Sequence, residues 1–163
     1  MKKLIACVLL VTLSLLSLSC GGGLSEDQQA KLDEAFGALE RLSAATDVGV
    51  NNAQYGALVI EAQASVTEAT RVLPEGGLST ALARTVEAHA DAKSVWDWSL
   101  THVAIRTGRG PGTKVIEEYG VPSEPRTDTD GNQYLIADQD EALQLIWAEA
   151  DKRYATALEA AES

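Results

Sequence analysis

The chain has 163 residues, a length typical of one domain, and its 24 acidic and 13 basic side chains give a formal net charge of −11. A surface this acidic repels phosphates, which excludes nucleic acid as an expected partner. Apolar residues make up 45% of the chain, whereas proline and glycine number only 4 and 13. This composition is typical of a folded, mostly helical domain and not of a disordered or low-complexity polymer.

The amino terminus carries the pattern of an export signal. Lys2 and Lys3 precede an apolar run over residues 4–18, which is shorter than the roughly 20 residues that a transmembrane helix needs. The run ends at Ser19 and Cys20, and three glycines follow. This arrangement resembles a bacterial lipoprotein signal peptide.

The resemblance to bacterial lipoproteins implies where the chain resides. In that class a peptidase cuts before the cysteine, here Cys20, after diacylglycerol is attached to its thiol. Gly21 resembles the residues that let such lipoproteins reach the outer membrane, so the implied location is a lipid anchor on that membrane, facing the periplasm. Ser17 stands where leucine is commonest in the class. An ordinary secretory signal with a chance cysteine is the alternative.

The resemblance also implies the division of the chain. Residues 1–19 would be the signal peptide, residues 20–24 a lipidated cysteine with a glycine tether, and residues 25–163 the folded domain. Cys7 would leave with the signal and Cys20 would carry lipid, so the mature chain would have no disulfide. A domain of this size buries about two-thirds of its unfolded surface, which is enough for one core.

Two helices are predicted at the start of the domain. Ser25, with a glutamine three residues later, fits a capping box, and apolar residues then recur every three or four positions, which predicts helix one over about 25–45. A second apolar stripe begins at Tyr55 and stops before Pro74, where helix two is expected to end. The short link between the two stripes favours antiparallel neighbours.

Two further helices are predicted from spacing and capping signals. Helix three is expected over about 78–105, with Gly108 placed to end it. Its stripe repeats every seven residues at Leu82, His89, Trp96 and Val103. Helix four is signalled by Asp138, an N-cap acceptor with a glutamate three residues later.

These elements predict an all-α fold, an antiparallel four-helix bundle with one long crossover between helices three and four. The crossover spans about 106–137 and is too long for a structureless loop in a compact domain. Residues 114–119 favour a short helix within it. Asp130 and Gly131 lie between β-forming residues and favour a small hairpin.

Two indoles near the end of helix three predict a second apolar face that another part of the protein covers or a partner contacts. Trp96 and Trp98 lie about 200° apart on a helix, so the last turns are apolar on two faces. Either the crossover folds over the second face and buries Trp98, or that face contacts a partner or a ligand. The candidate interaction or ligand patch comprises Trp98, His102, Ile105, Arg106 and Arg109.

Few residues in the sequence point to catalysis or to a cofactor. His89 lies on an apolar stripe, where a hydrogen-bonded core histidine is commoner than an acid/base or metal-binding one. No haem or di-iron spacing is present. The cations from Arg106 to Lys114 do not form a phosphate loop, and residues 128–132 do not form an EF-hand, although a looser anion or calcium site stays open. We therefore expect no cofactor, no metal and no enzymatic activity.

The expected function follows from the anchor and the helical faces. The sequence favours a membrane-anchored envelope lipoprotein that serves as a non-catalytic protein-interaction or assembly module, with an envelope protein as partner. The alternative is a receptor for a small molecule, an anion or a metal, with a pocket between helix three and the 106–137 crossover. An envelope hydrolase is the third reading.

Overall fold

The computed structural model describes residues 23–162, of which 70% are helical. Five helices and one three-stranded sheet form this part of the chain. The prediction of a mostly helical fold is confirmed, and the predicted hairpin belongs to a sheet that has one further strand. None of the helices within residues 23–162 has both the length and the apolar content needed to cross a bilayer. The predicted signal peptide and the predicted lipidation site, Cys20, lie outside the described residues.

The first two helices begin where their capping residues predict. Helix α1 spans Glu26–Val48 and helix α2 spans Asn52–Val72. The Ser25 hydroxyl accepts a hydrogen bond from the Gln28 backbone at 3.2 Å, and the Gln28 side chain accepts one from the Ser25 backbone at 2.9 Å. An asparagine and a glutamine repeat this arrangement at α2. The capping box is confirmed, and α2 ends shortly before Pro74 as expected.

Helix α3 spans Gly77–Ser99, so the predicted end at Ile105 is wrong. The backbone N–H groups of Thr101 and His102 both donate to the Trp98 carbonyl, at 3.2 and 3.1 Å, which tightens and ends the last turn. The chain then turns back, and Ile105 enters the sheet. Strand pairing there gives Ile105 backbone partners and full burial, which an exposed helix end would not provide.

The predicted crossover holds four short elements. Strand β1 is Ile105–Arg106, helix α4 is Gly112–Glu118, strand β2 is Glu124–Thr127, and strand β3 is Gln133–Ala137. Strand β3 is central and pairs antiparallel with both others, in the order β1-β3-β2. Asp130 and Gly131 lie in the turn between β2 and β3. The expected short helix and hairpin are therefore confirmed, whereas the β1 pairing was not predicted.

Helix α5 spans Gln139–Glu162. One carboxylate oxygen of Asp138 accepts from the backbone N–H groups of Asp140 and Glu141, at 2.9 Å each. These bonds satisfy donors that have no partner within the helix. The predicted start of this helix is confirmed.

The four long helices pack α1 against α2, α2 against α3, and α3 against α5. The α3–α5 interface is the most extensive of the three. Small side chains allow helix axes to approach closely, and they recur in the core of both helices. The fully buried alanines on α3 and α5 are Ala88, Ala92, Ala142, Ala150 and Ala157.

Different parts of the chain form the two ends of the molecule. At one end, here named the tether end, Leu24, Ala160 and the turn between α2 and α3 line one hollow. At the other, here named the loop end, the Gln139 side chain donates to the His102 carbonyl at 3.1 Å. The described chain therefore starts at the end opposite the α3–β1 connection.

Gly112 provides a test of the crossover fold. A Cβ atom at this position would overlap the backbone carbonyl of Arg106, which cannot move without disturbing β1. We expect Gly112→Ala to lower the free energy of unfolding by about 2 kcal/mol or more. Urea unfolding followed by circular dichroism measures this change. Gly37→Ala is the matched control, because a Cβ at this site in α1 would make only an ordinary contact, 3.5 Å from the Arg41 guanidinium, and it should be neutral or stabilising.

Candidate functional site

Trp98 lies in the last turn of α3 and is partly buried by the chain that follows it. Its ring stacks on that of His102, with centroids 3.6 Å apart and planes 7° from parallel. Its Nε1 donates to the Ala104 carbonyl at 3.0 Å. A Cβ on Gly110 would lie 2.5 Å from the indole, so the crossover backbone covers another part of the ring. Trp98 thus fixes the chain that follows α3, and only part of the indole ring is open to a partner.

The other predicted patch residues do not form one surface. Ile105 is fully buried in β1, so its inclusion in an exposed patch is wrong; pairing in the sheet takes it into the core. The Arg106 guanidinium lies 3.9 Å from the centroid of the Tyr134 ring. Arg109 is exposed, and its backbone forms a bridge with that of Arg106. His102 and Trp98 are the members that remain in contact.

Two exposed apolar side chains lie in the 100–104 loop between α3 and β1. Leu100 is 65% exposed and Val103 is 94% exposed. Neither was part of the predicted patch, and Val103 was assigned to the buried stripe of helix three. The run of threonine, histidine and valine before Ala104 has lower helix propensity than the preceding turns, and this signal could have indicated the loop.

A hollow of 440 Å³ lies beside the 100–104 loop. We name it the acidic hollow. Its apolar lining comes from Val103, Ala104, Pro122, Ile136 and Ala137. Its polar lining comes from Ser123, Glu124, Asp138 and Glu141. A site with apolar walls and carboxylates at its margin suits an apolar side chain accompanied by positive charge.

Nearby cations neutralise the carboxylates of the acidic hollow only weakly. Glu124 lies 2.8 Å from the Arg126 guanidinium, but both side chains are exposed to solvent. Asp138 caps α5 through backbone N–H groups, which leaves its charge in place. Within residues 23–162 no cation forms an ion pair with Asp138 or Glu141. The field at the hollow is therefore negative.

A buried polar cluster connects three of the long helices away from this site. His89 is 1% exposed, and its Nδ1 lies 2.9 Å from the Tyr55 hydroxyl, which also accepts from Nε1 of Trp147 at 3.0 Å. Burial lowers the pKa of His89 to about 4 and raises the pKa of Tyr55. Both groups are neutral at pH 7, and the core interpretation of His89 is confirmed.

The remaining sequence candidates for ion binding have structural partners. The Lys114 ammonium lies 2.8 Å from carboxylate oxygens of both Glu87 and Asp91, so it does not join Arg106 and Arg109 in one anion site. Asp128 accepts from two backbone N–H groups of its own turn, and these bonds lower its pKa. In the described part of the chain, no three histidine, cysteine or acidic side chains converge as metal ligands would.

Comparison of the chain with protein-family models, with curated proteins and with solved structures found no match. The function of the chain is therefore inferred from the geometry and chemistry of the described residues. Two hollows among residues 23–162 have a large apolar side chain in their lining that is more than half exposed: the acidic hollow, with Val103, and a hollow of 540 Å³ between α2 and α3, with Ile60. Of the two, carboxylates line the acidic hollow alone, which gives it the more specific chemistry.

The buried histidine predicts a pH dependence of stability. Since the pKa of His89 is about 4 in the fold and about 6.5 in an unfolded chain, the unfolded state binds more protons between these values. Stability should therefore fall as pH drops from 6.5 towards 4, by about 3 kcal/mol for this group. Denaturant unfolding from pH 7 to pH 4 measures the effect.

His89→Asn should flatten this dependence, because it removes the buried imidazole that the fold keeps neutral. An unchanged pH profile in His89→Asn would contradict the neutral buried histidine.

Proposed function

We propose that the chain is a lipid-anchored protein-interaction module of the bacterial envelope and that it has no catalytic activity. In this proposal the four long helices act as an antiparallel four-helix bundle that holds a docking site at its loop end. The observation that carries the proposal is the exposure of Val103 in the lining of the acidic hollow, with Leu100 exposed in the same loop. Apolar side chains this exposed, next to a lined hollow, are typical of interaction sites.

The first described residues lie at the tether end, which supports anchoring of that end to the membrane. Cys20 is three residues before Gly23, so an extended linker can separate the two by at most about 10 Å. Near this end the Gln28 side chain donates to the Val72 carbonyl at 2.6 Å. A lipid on Cys20 would keep the tether end close to the bilayer surface.

The docking site would then face away from the anchoring membrane. Helix α3 has 23 residues and so extends about 34 Å from the tether end to the loop end. The 100–104 loop and the acidic hollow would be presented at that height, where bilayer lipids do not compete for them. Anchoring confines the module to a surface, which raises the effective concentration for a partner on the same surface.

The chemistry of the hollow defines the partner. Apolar walls favour an aliphatic or aromatic side chain, and the carboxylates of Glu124, Asp138 and Glu141 favour lysine or arginine beside it. We therefore propose a partner protein that offers an apolar residue flanked by basic ones. An acidic segment would be repelled by the same carboxylates and by the net charge of −11.

A receptor for a small cationic molecule is the second candidate. The hollow of 440 Å³ lies between the end of α3 and the crossover, and its volume is in the range of about 300 to 1,000 Å³ that small-molecule sites occupy. Native mass spectrometry separates the two candidates. A bound mass that leaves on denaturation favours the receptor, and a bare chain favours the interaction module.

The double substitution Leu100→Ser with Val103→Ser tests the docking site. It should weaken the binding of a leucine peptide flanked by lysines at least about tenfold. The reason is that the buried apolar contact is lost while the charge of the protein stays constant. Fluorescence anisotropy with the full-length protein measures the affinity. The unfolding free energy should change by less than about 0.5 kcal/mol per site, since both side chains are exposed.

Ile60→Ser is the matched control, because Ile60 is 69% exposed on α2 and lines a different hollow, which has no carboxylate in its lining. A peptide with glutamates in place of the lysines should not bind. Equal weakening by Ile60→Ser, or equal affinity for the two peptides, would contradict this docking site.

Cys20→Ser tests the anchor. The variant should lose membrane attachment, because the thiol that would carry diacylglycerol is absent. Fractionation of cells into membrane and soluble material measures the change. Cys7→Ser is the matched control and should stay in the membrane fraction, since Cys7 precedes the cleavage site. Retention of Cys20→Ser with a cleaved signal would refute lipid anchoring through Cys20.

A further inference from the structure

A second cavity, distinct from the acidic hollow, lies between α3 and α5. Its volume is 190 Å³. It is lined by Ala81, Arg84, Glu149, Lys152, Arg153 and Thr156. Three cations therefore surround it with one carboxylate, whereas acidic residues outnumber basic ones 24 to 13 in the chain. We name it the α3–α5 cavity.

Arg153 provides a fixed guanidinium at the wall of this cavity. Its side chain is only 15% exposed, and its Nε and Nη2 donate to Glu149 and Glu118, at 3.1 Å each. Its Nη1 donates to the Arg84 carbonyl at 3.2 Å. These contacts fix the plane of the group, and they leave further N–H donors unused. The donors are therefore already oriented before any ligand arrives.

Arg84 and Lys152 supply positive charge that the described chain does not neutralise fully. Arg84 forms no ion pair within residues 23–162. Its neighbour Glu87 binds Lys114 at 2.8 Å instead. The Lys152 ammonium lies 3.4 Å from Glu149 and is 77% exposed, so this contact is weak. Two cations are thus able to turn towards a ligand in the cavity.

We propose that the α3–α5 cavity binds a single oxyanion group of the phosphate class. Arg84 and Arg153 donate to its oxygens in the planar, paired manner that guanidinium groups favour, and Lys152 adds charge from the solvent side. The cavity is smaller than the roughly 300 Å³ that drug-sized ligands require, so it takes one charged group and not a large molecule. Glu149 sets the orientation of Arg153.

Two sources of phosphate chemistry are consistent with the position of the cavity. Arg84 lies seven residues after the start of α3, about 10 Å from the tether end. A phospholipid headgroup is one source, since the tether end is near the bilayer in the proposed orientation. A free phosphate or phosphate monoester is the other. The site itself does not depend on the docking function proposed above.

Isothermal titration of the full-length protein in a non-ionic detergent at low salt tests this site. Inorganic phosphate and a soluble short-chain phosphatidylglycerol are titrated separately. We expect saturable binding of at least one of them, about tenfold weaker in Arg84→Gln, because a charge-assisted pair of hydrogen bonds is lost. Arg71→Gln is the matched control: it removes the same charge from an exposed position on α2, outside the cavity.

Each outcome of the titrations either supports or overturns the proposed anion site. Binding of inorganic phosphate that depends on Arg84 supports a free anion as the ligand. Binding only of the phosphatidylglycerol, with the same dependence, supports a headgroup. Absence of saturable binding of both probes overturns the site. Equal weakening by Arg84→Gln and Arg71→Gln also overturns it, since general attraction to the protein would then explain the binding. Loss of the docking function in the loop variants would leave these results unchanged.

Discussion

The contacts of Trp98 determine how the carboxyl-terminal half of the molecule is arranged. Its carbonyl accepts the N–H groups that end α3, and its indole N–H holds the Ala104 carbonyl. The ring lies between the imidazole of His102 and the backbone at Gly110. These contacts turn the chain back from α3, so that Ile105 reaches β3 and Val103 is directed into solvent. A straight continuation of α3 would have removed both the β1 pairing and the exposed loop.

Local signals explain why most of the helices could be predicted from the sequence. The capping side chains of Ser25 and Asp138 act on backbone groups within four residues, and the turn at Asp130 and Gly131 is equally local. Periodicity failed where a distant partner decided the outcome. Val103 continues the seven-residue spacing of α3, but the pairing of Ile105 with Ala137 ended the helix before it. Strand β1 has two residues, too few for a pattern in the sequence.

The same distinction applies to the candidate site. Trp98 and His102 were predicted as neighbours because four residues separate them, and they do stack. The acidic hollow joins Val103 to Glu124 and Glu141, which are far apart in the sequence and meet only through the sheet. The buried cluster of Tyr55, His89 and Trp147 likewise joins three helices, so only the apolar position of His89 was visible in advance.

The distribution of charge separates three regions of the fold. Four of the eleven cations within residues 23–162 bind a carboxylate on another element; among them, Lys114 joins α4 to α3 and Arg153 joins α5 to α4. The Tyr119 hydroxyl adds a bond to Asp91 at 2.7 Å, so α4 is attached to α3 by polar contacts as well as by burial. Within residues 23–162 no cation pairs with Asp138 or Glu141, so the loop end keeps uncompensated carboxylates beside its apolar side chains. Arg84 forms no ion pair in the described chain, so the α3–α5 cavity is a positively charged region. The two proposed sites thus differ in charge: the loop end offers carboxylates to a basic partner, and the α3–α5 cavity offers cations to an anion.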